Sequence, residues 1–61
     1  MFYKNFIDAC KEKGTTPWEV CTALNLSRSN VTAWKSGREP NLSTVVLIAK
    51  HLGVNTSVLV K

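Results

Sequence analysis

Acids, cysteines, histidines and long apolar runs are all scarce in this chain, and each scarcity removes a class of explanation. Asp and Glu number four against eight Lys and Arg. They form no carboxylate pair, no nucleophile stands beside a base, and there is no Gly-rich phosphate loop. Catalysis is therefore not expected. The two cysteines, Cys10 and Cys21, are too few for a disulfide scaffold and lack CxxC spacing. With His51 the only histidine, a four-ligand zinc site is not expected, nor is any cofactor. The longest uninterrupted apolar run, Val45 to Ala49, is far too short to span a membrane. The opening MFYKNF does not have a signal-peptide layout. The expected address is the cytoplasm, with reduced thiols. There is no internal repeat, low-complexity stretch or linker, so residues 1–61 read as a single domain. Sustained alternation and hairpin dipeptides are missing too, which leaves no strand signal.

What remains is a small, basic, helical chain. A hydrophobic content of 44% supports a compact core, although 61 residues cannot spare an open cavity for a small-molecule substrate. The net charge of +4 favours an anionic partner such as nucleic acid or an acidic surface. Phe2, Phe6, Ala9 and Cys10 recur at helical spacing before Gly14, predicting a first helix over Phe2 to Lys13. Thr16, Pro17 and Glu19 supply a cap, a first-turn proline and a Thr-x-x-Glu capping box for a second helix. That helix buries Val20, Cys21 and Leu24 and ends at Asn25, a residue that tolerates left-handed backbone. Ser27 then caps a third helix, Arg28 to Ser36, closed by Gly37. Asn41 caps a fourth, with Leu42, Val45, Ile48 or Ala49, and Leu52 as its core stripe. Asn55 to Lys61 reads as a short final turn or helix. The predicted fold is all-α, a bundle of five short helices.

The third helix has an unusual surface. On a wheel of about 100° per residue, Val31 and Trp34 share one side. Arg28, Ser29, Thr32, Ala33 and Ser36 form the opposite arc, with Asn30 and Lys35 at its edges. Solvated helix faces usually carry long Glu and Lys side chains, whereas this one is short-chained and free of acid. Such a face suits a DNA major groove. Arg28 reaches guanine, Ser29 and Thr32 donate or accept, and Ala33 with the Thr32 methyl meets thymine. A short helix with two anchors that merely exposes small polar residues fits the wheel equally well. The tight turn Asn25-Leu26-Ser27 favours the groove reading, because it makes helices two and three a helix-turn-helix. Lys35 and Arg38 then fall where a DNA backbone passes, and Asn30 joins them as a phosphate contact.

These residues resemble the phage repressor and Cro-like helix-turn-helix family over nearly the whole chain. The resemblance rests on KGTTPWEVCTALNLSRSNVTAWKSGREPNLSTVVLIAKHLGV. Its order is glycine after helix one, capped helix two, turn, a helix ending in Trp-x-x-Gly, proline, and a helix ending in Leu-Gly-Val. The resemblance implies a lambda-repressor-like fold and sequence-specific binding to double-stranded DNA, usually as a homodimer on a two-fold-related operator. It implies base reading by Arg28, Ser29 and Ala33, and phosphate contacts from Thr16, Ser36 and the loop at Arg38. Half-sites one turn apart, about 34 Å, are the geometric expectation.

Departures from the family pattern sharpen particular residues. Members often pair an arginine near the end of helix one with a glutamate after the Trp position; here these are Cys10 and Lys35. An apolar or thiol contact is expected to replace the pair, freeing Lys35 for phosphate. Cys21 stands where a small alanine is usual and reads as a packed hydrophobe rather than a redox sensor. Pro17 removes a main-chain amide that members can offer to phosphate. Trp18, off the buried stripe, is expected to pack on the first helix rather than lie exposed near DNA. Trp34 is expected in the core, and His51 as a helix-end residue without a site role. Val46, Leu47, Val58 and Val60 exceed what the core stripes require and are expected to form a self-association patch. The competing function is a protein-interaction module, antitoxin-like or anti-repressor, built on the same fold.

Overall fold

The structure, a computed structural model, describes residues 1–60 and contains five helices: α1 (Phe2–Glu12), α2 (Pro17–Ala23), α3 (Ser29–Lys35), α4 (Leu42–Leu52) and α5 (Thr56–Val60). No strand occurs among the described residues. The expected all-α bundle is what forms. Lys61, the end of the last predicted element, lies outside the described residues.

Four helices stop by the same device. After α1, the Thr15 amide donates to the Cys10 carbonyl at 2.9 Å and the Gly14 amide to Lys11 at 3.2 Å. The same crossed pair recurs after α2 (Leu26 to Cys21, Asn25 to Thr22), after α3 (Arg38 to Ala33, Gly37 to Trp34) and after α4 (Val54 to Ala49, Gly53 to Lys50). Each is a Schellman closure around one left-handed residue, and it satisfies carbonyls that the helix leaves open. Asn25 is the non-glycine member, at φ 60°. Gly37 is the extreme one, at φ 114°, where a side chain is strained.

The starts are capped locally where the sequence offers an oxygen. Thr16 Oγ1 accepts the Glu19 amide at 3.2 Å, and Asn41 Oδ1 accepts the Thr44 amide at 3.0 Å. Ser27 Oγ accepts the Ser29 amide at 3.3 Å, as its capping role requires. The reciprocal half of the expected capping box differs: Glu19 accepts the Thr15 hydroxyl at 3.0 Å rather than the Thr16 amide. A freely rotating hydroxyl one residue upstream competes for the carboxylate. Met1 gives α1 no side-chain cap, and the Phe2 amide instead donates to Glu39 Oε2 at 3.4 Å.

The core joins all five helices. Phe2, Phe6, Ala9, Cys10, Val20, Cys21, Val31, Trp34, Val45, Ile48, Ala49, Leu52 and Leu59 are buried, and no polar or charged side chain is buried among the described residues. Phe2 and Phe6 stack with centroids 5.3 Å apart, and Trp34 meets both edge-on. That trio locks α3 onto α1. At the other end, Leu59 is fully buried and its carbonyl accepts from Asn5 Nδ2 at 3.1 Å, fixing α5 against α1.

Two expectations about burial fail. Leu42 belongs to the α4 stripe by spacing, yet it is 73% exposed. It is the first residue of α4, and that turn starts before the helix reaches the core. Trp18 is 43% exposed rather than packed away. Pro17, Val20 and Cys21 define the buried side of α2, and Trp18 lies at its edge, about 60° of helical rotation beyond Cys21 and about 160° from Val20.

Candidate nucleic-acid interface

The turn between α2 and α3 sets the angle of the exposed helix. Leu26 N–H reaches the Cys21 carbonyl at 2.8 Å, so the chain folds sharply back at Asn25. Ser27 caps the next helix two residues later. Leu24 and Leu26 pack against the core from the two sides of Asn25 and hold the turn down. The regular part of α3 is Ser29–Lys35, shorter by one residue at each end than the sequence suggests. Arg28 and Ser36 keep helical dihedrals, so the wheel positions of all nine residues still apply.

The structure divides α3 as the wheel does. Val31 and Trp34 are buried, while Arg28, Ser29, Thr32, Lys35 and Ser36 are exposed and Ala33 is half-buried. Asn30 is also half-buried, which leaves it less reach than the others. Two hydroxyls on the face are already engaged within the chain. Ser29 Oγ lies 2.8 Å from Ser27 Oγ, and Ser36 Oγ donates to the Ala33 carbonyl at 2.7 Å. The Arg28 side chain has no hydrogen-bond or ion-pair partner among the described residues, while its carbonyl accepts the Val31 amide at 3.1 Å.

Charge on α3 itself is one-sided, although the loop after it carries Glu39 next to Arg38. Arg28, Lys35 and Arg38 are exposed on α3 and its flanks, and the helix itself contains no acid. Of the four acids, Asp8 and Glu12 belong to α1, while Glu19 and Glu39 are each held by a hydrogen bond. Thr16 is exposed, with its oxygen already accepting the Glu19 amide. Lys35 points to solvent, while Cys10, where the family pattern has an arginine, is 1% exposed. Burial first, then the neighbouring Cys21 and Glu19, push the Cys10 thiol up to about 11. Burial raises Cys21 as well. Both thiols are free and stay protonated at neutral pH, which suits packing rather than redox work.

The apolar residues expected to associate are not equivalent. Val46 is half-buried and Val58 packs against the core, whereas Leu47 and Val60 are 47% and 59% exposed. Val58 instead lines a groove of about 430 Å³ with Asn5, Asp8, Ala9, Lys11 and Glu12, made by α1 and α5 and separate from α3. No group of three or more His, Cys, Asp or Glu able to hold a metal occurs among the described residues. No helix among them is long and apolar enough to cross a membrane. His51 is exposed in the last turn of α4. Sequence reading missed Glu39 and Asn5, which bond partners 37 and 54 residues away, beyond the reach of any local pattern.

A model of the helix-turn-helix family matches residues 7–59, from the middle of α1 into α5. No curated protein and no solved structure matches the chain.

Proposed function

The chain belongs to the helix-turn-helix family, whose members are DNA-binding transcription regulators, and on that premise we propose that it is a sequence-specific repressor or regulator that occupies a duplex operator. Arg28–Ser36 enters the major groove. Arg28 takes a guanine edge through its forked guanidinium, Ser29 and Thr32 bond to neighbouring bases, and Ala33 with the Thr32 methyl meets thymine. Thr16, Asn30, Lys35, Ser36 and Arg38 lie against phosphates and set the register. The observation that supports this most is the acid-free outer face of α3, backed by buried Val31 and Trp34 and flanked by three exposed cations. Residues 1–61 act as one cytoplasmic domain without catalytic chemistry. Two copies bind together, with Leu47 and Val60 supplying the exposed part of a patch that Val46 and Val58 border.

Selection of bound duplexes from a random pool tests the proposal, and a palindromic product reveals the pair of half-sites. On the selected duplex, Arg28→Ala costs about 1–3 kcal/mol and relaxes preference at one base position. Arg38→Ala weakens all sequences alike and lowers the slope of log affinity against log salt by about 0.9. Equal losses of specificity from both variants refute this division of labour. If no sequence is bound above the non-specific level and Arg28→Ala changes nothing, the protein-interaction reading replaces it.

A further inference from the structure

We infer that Glu39 is a positioning residue for DNA binding, holding the Arg38 loop by clasping the first turn of α1. The inference rests on the DNA-binding function proposed above.

Helix α1 starts without a side-chain cap of its own and has no acid in its first turn. Glu39, 37 positions along the chain, fills both gaps: its Oε2 accepts the Phe2 amide at 3.4 Å in a partly buried contact. A carboxylate at that end also gains from the helix dipole. The loop so captured runs from Gly37 to Pro40, directly after α3. Its other end is tied by the Arg38 amide, which donates to the Ala33 carbonyl at 3.0 Å. Arg38 therefore sits between two adjacent anchors, one on α3 and one on α1.

The two anchors close into a ring. The Phe2 amide holds Glu39, while the Phe2 side chain, 2% exposed, meets Trp34 edge-on at 5.2 Å. Trp34 follows Ala33, the residue that holds Arg38. One buried phenylalanine thus fixes the loop and the recognition helix at once, so Arg38 keeps a set position relative to α3. Pro40, half-buried with a restricted φ, stiffens the loop's exit. The carboxylate has the wrong sign for a loop beside phosphate, so its two roles predict opposite results when it is removed. As a simple repelling charge, Glu39 weakens binding and its loss strengthens it. As a positioning residue, its loss weakens binding despite the gain in net positive charge.

The test is fluorescence anisotropy on the duplex selected from the random pool, with the wild type, Glu39→Ala, Glu39→Gln, Arg38→Ala and the double Arg38→Ala/Glu39→Ala variant. All are compared at a temperature where thermal unfolding shows them folded. Glu39→Ala is expected to weaken binding roughly two- to tenfold, the range of one ordinary hydrogen bond. Its loss cannot exceed that of Arg38→Ala, and the double variant binds no more weakly than Arg38→Ala alone. Glu39→Gln, whose amide oxygen still accepts from Phe2, binds as tightly as the wild type or tighter. Amide exchange reports the clasp without DNA: the Phe2 N–H is protected in the wild type and Glu39→Gln, and exchanges faster in Glu39→Ala. Glu39→Ala binding as well as the wild type overturns the inference, as do additive losses or unchanged Phe2 exchange. In each of these results the DNA-binding function stands. A wild type that binds no duplex selectively instead overturns that function, and this inference with it.

Discussion

Truncation of Trp34 tests whether α3 is held by its buried edge or depends on that indole at its outer surface. The ring is 4% exposed and meets Phe2 and Phe6 edge-on at 5.2 and 5.7 Å. Replacing a buried tryptophan by alanine costs about 3–5 kcal/mol. Two aromatic contacts of about 0.5–1.5 kcal/mol each place this site in the upper half of that range. At about 0.05–0.15 kcal/mol per residue, a chain of 61 residues is stable by only about 3–9 kcal/mol. Trp34→Ala therefore removes roughly half or more of the total and brings the chain close to unfolding. Trp34→Phe keeps a ring against Phe2 and Phe6 and loses about 1–2 kcal/mol through smaller buried area. Urea unfolding followed by circular dichroism measures both. DNA selection with folded Trp34→Phe should return the wild-type site, because the indole does not reach the outer face. A Trp34→Ala cost below about 1 kcal/mol refutes the packing argument. A changed base preference in folded Trp34→Phe refutes the separation of core edge from reading face.

Gly37→Ala is expected to destabilise by about 1–2 kcal/mol from backbone strain alone, because a Cβ there meets nothing within 4 Å while φ is 114°. Asn25→Gly, at φ 60°, should change stability by less than about 1 kcal/mol in the same urea assay; a larger loss means the Asn25 side chain does more than adopt the turn. Because the folded Cys10 thiol is raised from 9.0 to about 11, stability is full below pH 9 and falls as pH rises from there through about 11. Cys10→Ala removes that share of the fall in urea unfolding, and an unchanged pH slope refutes a buried, protonated thiol.

The legible parts of the fold were those decided within about one helical turn of each residue. Thr16, Asn41, Asn25 and Gly37 mark boundaries because caps and left-handed closures depend on neighbours three to five positions away. The outer face of α3 was legible for the same reason, since a wheel needs only a period and two anchors. Glu19 shows the limit even locally: a second hydroxyl, at Thr15, takes the carboxylate from its expected partner. Leu42 shows a different limit, because spacing identifies the side that faces inward but not where the opposing helices stop. Trp18, off the buried stripe, is expected to pack on the first helix, yet a local pattern does not show whether that helix extends far enough to cover it. Glu39 on Phe2 and Asn5 on Leu59 were beyond reach, because both depend on how distant helix ends meet in space.

Two of the hydroxyls on α3 constrain which residue carries specificity in the proposed complex. Ser29 and Ser36 already hold hydrogen bonds within the chain, at 2.8 and 2.7 Å. Bonding to a base or phosphate exchanges one bond for another, and the net gain from such an exchange is about 0.5–1.5 kcal/mol at most. The Arg28 guanidinium has no partner to give up among the described residues, and it makes two bonds to one guanine edge. Base discrimination should therefore concentrate at the Arg28 position, with Ser29 and Thr32 adding smaller preferences beside it. All three side chains are exposed, so substituting them costs the fold little, within about 0.5 kcal/mol. The chain can thus change the sequence it reads without disturbing Val31, Trp34 and the phenylalanines that hold the helix in place. A selection experiment on Arg28 variants that returns the wild-type site with undiminished preference would show that another residue dominates.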